Sequence, residues 1–423
     1  MGNFIQHLSE RVSVIASDRL WLEDSAIQQL KTTAQLTHMV SVVGLPDLHP
    51  GRGYPVGAAF LSQDHFYPAL VGNDIGCGMS LYQTDLAINK VKLDKLDKQL
   101  GNLDEPVDED EWQQLLSLDP ELAAKKQAVA DGLLAAGLDL LQMRSLGTIG
   151  GGNHFAELQI TDRVDDATCY DAANLHAKRV QLLVHSGSRG LGQFILRQHV
   201  DAHSHAGLAS ESEAAADYLR KHDAALAYAA LNRAMIAARI LRRLRCNGEL
   251  VLDVHHNLVR PVKADGKSLW LHRKGASPSD QGLVMLPGSR GDYSYLLQPK
   301  AENGTASLYS LAHGAGRKWQ RTDCKDRLFK LATPDQLSRT EFGSRVICAD
   351  RALIYEEAPQ AYKNLDSVLD CLLGADLVTV IARSKPLLTY KTRGSAADAV
   401  STNHRKYRPG RVLPGCCQGL AVI

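Results

Sequence analysis

The stretch Met39–Leu61, "MVSVVGLPDLHPGRGYPVGAAFL", alternates short apolar runs with glycine and proline. Runs of this length bounded by such residues read as strands joined by shaped loops. The pattern continues to Asp85 and puts any chemistry of this region on loops. One of those loops lies in "PALVGNDIGCGMS", Pro68–Ser80, where Asp74 precedes the lone thiol of Cys77 by three residues and glycines flank the thiol on both sides. Glycine permits backbone angles and close approaches that other residues cannot make. The loop is therefore either a tight turn or a place where one hard and one soft ligand meet a metal.

Outward from this region the chain changes character. From Asn89 to about Met143 it is charged and helical, and its acidic "LDEPVDEDEW" reads as a solvated face without chemistry. A second glycine-rich strand region, "LGTIGGGNHFAELQI" and "RVQLLVHSGSRGLGQFI", comes before an Ala-, Leu- and Arg-rich helical excursion from about Ser210 to Leu244. Strands return in "GELVLDVHHNLVRPVKADGKSLWLHRKG". The phrase "SLAHGAGRKWQR" enters a helix, and "ADLVTVIARSKPLLTYK" reads as helix or strand and then strand. The expectation is an α+β protein: a mixed β core with helical insertions, one domain over residues 1–391, and a tail without periodicity over 392–423.

A chain of 423 residues with 44% hydrophobic composition can bury a large core. Its formal charge of +1 excludes a uniformly basic nucleic-acid wrapper, so contact with a polyanion must use a local cluster. The N-terminal residues lack the order of a signal peptide, and no apolar run reaches the ~18 residues of a spanning helix, which leads to the expectation of a cytoplasmic protein with no membrane partner. Eight cysteines without a CxxC pair argue for free thiols, so any metal must use mixed ligands.

Three histidines stand where glycine-rich or strand-end backbone can expose them: His154 in "GGNHF", His185 in "LLVHSGSRG" and His256 in "VLDVHHNLV". Strand alternation puts Leu252, Val254 and His256 on one face, which makes His256 more inward than His255. With Asp74 and Cys77 these imidazoles form a donor set suited to zinc, manganese, iron or cobalt rather than to magnesium or calcium. A fourth, His313 in "SLAHGAGRKWQR", precedes a Gly-Ala-Gly turn and an expected helix start bearing Arg317 and Lys318. Free amides at a helix start bind phosphate. "HSGSRGLG" with Arg189 and "LPGSRGDYS" with Arg290 follow the same logic, while the GxxxxGK[ST] phosphate loop is absent. "KADG" at Lys263–Gly266 fits the KxDG pattern of lysine-nucleotidylating ligases, but two strand patterns around Asp-Gly read more simply as a hairpin.

The phrases "LPDLHPGRGYPVG", "VGNDIGCGM", "LGTIGGGNHFAE", "LLVHSGSRGLG", "YAALNRAMI", "VHHN", "HRKGA", "LPGSRG", "AHGAGR" and "EEAPQAYKNLD" occur in the order and approximate spacing of RtcB-type RNA ligases, which the chain resembles over roughly residues 30–391. The resemblance implies a fold peculiar to that family and a ligase dependent on GTP and two Mn2+ ions. Such an enzyme joins an RNA 3′-phosphate or 2′,3′-cyclic phosphate to a 5′-hydroxyl through a guanylylated histidine and an activated RNA end, in RNA repair or tRNA splicing. By similarity Asp74, Cys77, His154, His185 and His256 are metal ligands, with Cys77 bridging, and His313 takes the guanylate while Asp47 orients its ring. The nucleotide pocket carries over onto Asn153, Phe155, Glu157, Asn257, Pro287, Gly288, Ser289, Arg290, Ser294, Gly314, Ala315, Gly316, Tyr362 and Lys391, with Arg189 as a phosphate cation and Glu157 or Lys391 reading the guanine edge. Two departures stand out: Arg290 where the family often has methionine, and Ala312 where serine is common. The resemblance leaves the source RNA and any activator protein open. Two other classes fit part of the pattern: a metal-dependent cyclic phosphodiesterase or phosphatase without joining activity, and an RNA-end binding module without turnover.

Overall fold

In the computed structural model, which describes residues 4–264 and 267–394, the strands form two large sheets. The first has six strands in the order Ile5–His7, Val12–Ile15, Met39–His49, Val56–Gln63, Lys267–Lys274 and Asn257–Ala264. The second runs Gly248–His255, Gly78–Ala87, Arg179–Ser186, Phe155–Val164, Val378–Thr392, Ser294–Pro299 and Val284–Pro287, with Arg345–Cys348 pairing parallel to Val378–Thr392. The quoted stretch is indeed strand, loop, strand: Met39–His49 and Val56–Gln63 pair antiparallel around "PGRGYP". The segment read as helix or strand and then strand is a turn at 375–377 followed by one strand, and that strand, Val378–Thr392, lies between Phe155–Val164 and Ser294–Pro299 in the second sheet. The architecture is α+β, as the patterns imply.

Between the sheets there is a single-residue joint. Gly248–His255 belongs to the second sheet and Asn257–Ala264 to the first, so His256 stands where the chain crosses from one to the other. Asn257–Ala264 then returns along Lys267–Lys274, with Ala264 opposite Lys267. This pairing is the hairpin expected around "KADG"; Asp265 and Gly266 lie outside the described residues. Arg393 carries the compact unit two residues past Lys391, where its Nε donates to the Gly101 carbonyl at 2.7 Å. The expected tail from 395 onward lies outside the described residues.

The helical excursions fall where the patterns put them, at Leu93–Leu100, Glu109–Leu118 and Pro120–Ala135, and at Glu213–Leu244. The last is long and apolar enough to cross a membrane, which corrects the expectation from apolar runs, yet 67% of its apolar window is buried within the protein. It is a core helix: Tyr228, Met235 and Ile236 are fully buried, while Asn232 and Arg233 drive polar groups under the second sheet. The acidic "LDEPVDEDEW" is not wholly solvated either. Glu111 pairs with Arg239, Arg242 and Arg243 of the core helix, because a carboxylate on that helix's flank is what makes a buried arginine tolerable.

Candidate active site and metal centre

The loop before Gly78 is held in place by backbone hydrogen bonds. Gly76 N donates to Asn257 O at 2.8 Å, and His256 N donates to Cys77 O at 2.8 Å, so the thiol is pinned to the joint between the sheets. Gly76 has φ +75°, a left-handed angle that favours glycine, and a Cβ on Gly78 would overlap the Val254 carbonyl. The glycines flanking Cys77 are thus requirements of this geometry. From below, Arg233 donates through Nη1 to the carbonyls of Gly76 (2.9 Å) and Ser186 (3.1 Å), while Asp253 takes its Nε and Nη2. Asn232 bonds Ser186 Oγ and the Gly187 carbonyl. The core helix therefore braces the two loops that present Asp74, Cys77 and His185.

The five expected metal ligands converge. Cys77 Sγ lies 3.3 Å from His154 Nε2 and 3.2 Å from His185 Nε2, and His185 Nε2 lies 3.3 Å from His256 Nε2. His154 Nε2 is 2.8 Å from Asp74 Oδ2. They form two trios, Cys77–His185–His256 and Asp74–Cys77–His154, which share only Cys77. Burial, aided by Asp74, pushes the Cys77 thiol well above its usual range. Burial lowers His185 and His256 well below theirs, with neighbouring imidazoles adding to the effect, so both rings are neutral and carry a lone pair. Burial works to raise Asp74, but His154 outweighs it and keeps the carboxylate ionised. Asp74 Oδ1 is buried with no hydrogen-bond partner among the described residues, and a Cβ on Gly187 would fill the space beside it. Neutral imidazoles, an ionised carboxylate with a spare oxygen and a thiol common to both trios fit a pair of borderline cations, which would also draw the proton from the thiol.

Beside this cluster stands His313, its ring 4.7 Å from that of His256 between centroids. Asp47 is fully buried, and its Oδ2 accepts from His313 Nδ1 at 2.6 Å and from His313 N at 3.1 Å. With Nδ1 occupied, Nε2 is the ring nitrogen left for chemistry. The carboxylate is held in turn: Lys363 Nζ donates to the carbonyls of Pro46 (3.0 Å) and Leu48 (2.7 Å) on either side of it. Gly316, at φ +71°, lets the turn after His313 pass against the Asp47 backbone.

No helix begins at Arg317. The segment after His313 pairs instead with the chain around Tyr362, as Lys318 N donates to Ala361 O and Lys363 N to Gly316 O, and the helix starts only at Arg321. These amides are spent on backbone partners, which corrects the expectation of a helix-start phosphate site there. Arg189 stands at the N-cap position of the helix Gly190–His203 without a side-chain cap bond, and its Nε donates to Thr148 Oγ1 at 3.3 Å.

A cleft of about 900 Å³ joins these parts. Its walls include the metal-type cluster, His313–Gly316, Arg189, Asn153, Phe155, Glu157, Asn257, Pro287–Arg290, Tyr362 and Lys391. Ser294 is not among the wall residues; it stands one layer behind, accepting from Gln159 Nε2, which in turn donates to Glu157. Burial pushes Glu157 up to about 7 against the bonds from Gln159 and Thr389. Sequence reasoning missed Glu357. Burial would raise it, but Lys391, Arg321 and Arg317 overturn that and hold it at about 2. It accepts from Arg321 Nη1 at 2.6 Å, Tyr362 Oη at 2.7 Å and Lys391 Nζ at 3.4 Å. The quoted "EEAPQAYKNLD" contained it and its partner Tyr362, yet the cations that hold it ionised, Arg317, Arg321 and Lys391, lie 40, 36 and 34 residues away and leave no local trace. The six described cysteines, Cys77 included, are free thiols.

A family model described as tRNA-splicing ligase RtcB matches residues 29–392. Among curated proteins, the chain is 54% identical to the RNA-splicing ligase RtcB2 of Escherichia coli, across 93% of this chain and 99% of that one. It is 30% identical to the tRNA-splicing ligase RtcB of Nanoarchaeum equitans, across 90% and 95%. It is 27% identical to the RNA-splicing ligase RtcB of Escherichia coli K12, across 88% and 95%. A match that spans nearly all of the described chain, and relatives covered almost end to end, make this chain a member of the RtcB family.

Proposed function

We propose that this protein is a GTP- and Mn2+-dependent RNA ligase that joins an RNA 3′-phosphate or 2′,3′-cyclic phosphate end to a 5′-hydroxyl end. The observation that carries the reading is His313: its Nδ1 is bonded to buried Asp47, and its Nε2 is left for the cleft beside a Cys77-centred donor cluster. An imidazole so held is a nucleophile of fixed tautomer, because the carboxylate takes one nitrogen and stabilises the cation formed as the other attacks.

His313 Nε2 attacks the α-phosphorus of GTP, the N–P bond forms as the bond to pyrophosphate breaks, and Asp47 stabilises the imidazolium. The RNA 3′-phosphate then takes the guanylate from His313, which returns to the free ring. Finally the 5′-hydroxyl attacks the activated phosphorus, GMP leaves, and the hydroxyl proton passes to a base or to solvent. A cyclic end first requires water to open it. Asp74, Cys77, His154, His185 and His256 would hold the metal pair, whose contribution is to neutralise phosphate charge and activate an attacking oxygen. Arg189 sits where it can bind a phosphate, and Phe155, Glu157 and Lys391 form the wall for the base.

Incubation with GTP labelled at the α-phosphate and manganese tests this. The parent protein should retain label, His313→Ala should lose both label and ligation, and Lys263→Ala should keep both. His313→Ala should still join RNA already activated as the 3′-diphosphoguanosine form. A parent protein that opens cyclic ends without taking label would be a phosphodiesterase, and one that only binds RNA ends would be a recognition module.

A further inference from the structure

Both oxygens of Glu357 are shared. Oε1 accepts from Arg321 Nη1 at 2.6 Å and from Arg317 Nη1 at 3.2 Å, and Oε2 accepts from Tyr362 Oη at 2.7 Å and from Lys391 Nζ at 3.4 Å. The carboxylate and its four donors all belong to the cleft wall. A buried ion pair is weak evidence for stability, because desolvation consumes most of the attraction. Such a gathering at a cleft is better accounted for by what it presents to a ligand.

The donors differ in what they have left to present. Arg317 is spent: its Nε goes to the Trp319 carbonyl, and its Nη2 goes to the Glu356 carbonyl and Cys324 Sγ. Its Nη1 also reaches Tyr362 Oη at 3.1 Å, so these two side chains fix Glu357 in place. Lys391 is the opposite case. Glu357 is its one side-chain hydrogen-bond partner among the described residues, and its Nζ lies 5.9 Å from the centroid of the Phe155 ring, which lines the cleft. Burial lowers Lys391, and Glu357 is the chief group opposing that fall. Arg321 adds to the fall, Cys348 opposes it, and Glu157 acts on the ammonium from the neighbouring strand.

We propose that Glu357 is a positioning residue for the nucleotide that acts through Lys391: it holds the Lys391 side chain as a charged ammonium at the Phe155 wall, where that charge strengthens GTP binding. The inference rests on the cleft being a GTP site. Arg317 and Tyr362 serve it by fixing the carboxylate, and Glu357 itself touches no substrate.

The test is isothermal titration of GTP into the full chain carrying His313→Ala, so that no covalent transfer occurs, at about pH 6.5 and about pH 8.5. The readout is the ratio of parent to variant affinity, from which groups that titrate in both proteins, Glu157 among them, cancel. Adding Glu357→Gln should weaken GTP about threefold at the lower pH and about tenfold at the higher, because a buried lysine without its carboxylate sheds its proton as pH rises. In a Lys391→Arg background, where the cation does not titrate, the same change should give a ratio that is flat with pH. Glu357→Asp retains the charge and with it the fold. It should weaken GTP in the parent by shortening the reach to Nζ, but add no further loss once Lys391→Met is present. A flat ratio for Glu357→Gln, a pH trend that persists with Lys391→Arg, or additive losses for Glu357→Asp and Lys391→Met would each make Glu357 an architectural group and overturn the proposal. A parent that fails to bind GTP would overturn the pocket reading instead, a result distinct from a parent that binds GTP and is indifferent to Glu357.

Discussion

Glu157 and Glu357 line one cleft as buried carboxylates with opposite fates, and the number of cations at each decides which. Three cations hold Glu357 at about 2, whereas Glu157 faces mainly neutral partners and rises to about 7. Glu157 thus keeps its proton in the folded chain up to about pH 7 but loses it near pH 4.3 when unfolded. The folded state binds more protons across that window, so the stability this group contributes is complete below pH 4.3 and is lost as pH rises through 7. Glu157→Gln should accordingly gain up to about 3 kcal/mol over the parent at pH 8 and almost nothing at pH 4, read from melts at both values. Equal differences at the two pH values would mean an ionised Glu157 in the fold. Cys77 makes a second residue-scale case. As the one donor common to both trios it has no substitute, so Cys77→Ala should lose both manganese ions together in metal analysis, whereas His154→Ala should retain part of the load.

Elements bring these residues together by allowing backbones to approach. The strand Gly78–Ala87 starts against Val254, and any side chain at its first position would force the two strands apart. Gly78→Ala should cost about 2 kcal/mol or more in denaturant unfolding. Gly132→Ala, within the helix Pro120–Ala135 and with open space around its Cβ, should instead stabilise by about 0.5–1 kcal/mol. A Gly78→Ala protein as stable as its parent would show that the strand pair can shift freely. At this scale the sequence was most readable where structure is local. Apolar runs between glycine and proline marked the strands from Met39 to Ala87, and Asp-Gly marked the hairpin after Ala264. It was least readable where a partner is remote. "AHGAGRKWQR" has the composition of a turn entering a helix, but its backbone pairs with Tyr362, and nothing within ten residues of Arg317 announces that. Glu111 is the same lesson in side chains, an acidic residue in an acidic run whose three arginines lie on another helix.

For the whole molecule, a metal held by the donor cluster would be coupled to folding. The ligands come from four separate strands or their flanking loops, so a cation that holds them binds only the folded chain. Added manganese should raise the melting temperature progressively, by the equivalent of about 2.7 kcal/mol at a hundredfold excess over its dissociation constant, and a chelator should reverse it. Cys77→Ala should melt at one temperature with or without the ion. The convergence of these donors was legible only through long phrases resembling a family; their spacing, spread from Asp74 to His256, could not by itself show that they meet. The central position of Val378–Thr392 governs how the protein comes into being. Because Phe155–Val164 and Ser294–Pro299 both pair with this strand, the second sheet cannot close until nearly the whole described chain has left the ribosome. A nascent chain halted before Val378 already carries the thiol, the four histidines and both carboxylates, Asp47 and Asp74, yet it presents two naked strand edges and lacks Lys391. Prematurely terminated products of this gene are therefore candidates for aggregation rather than partial activity.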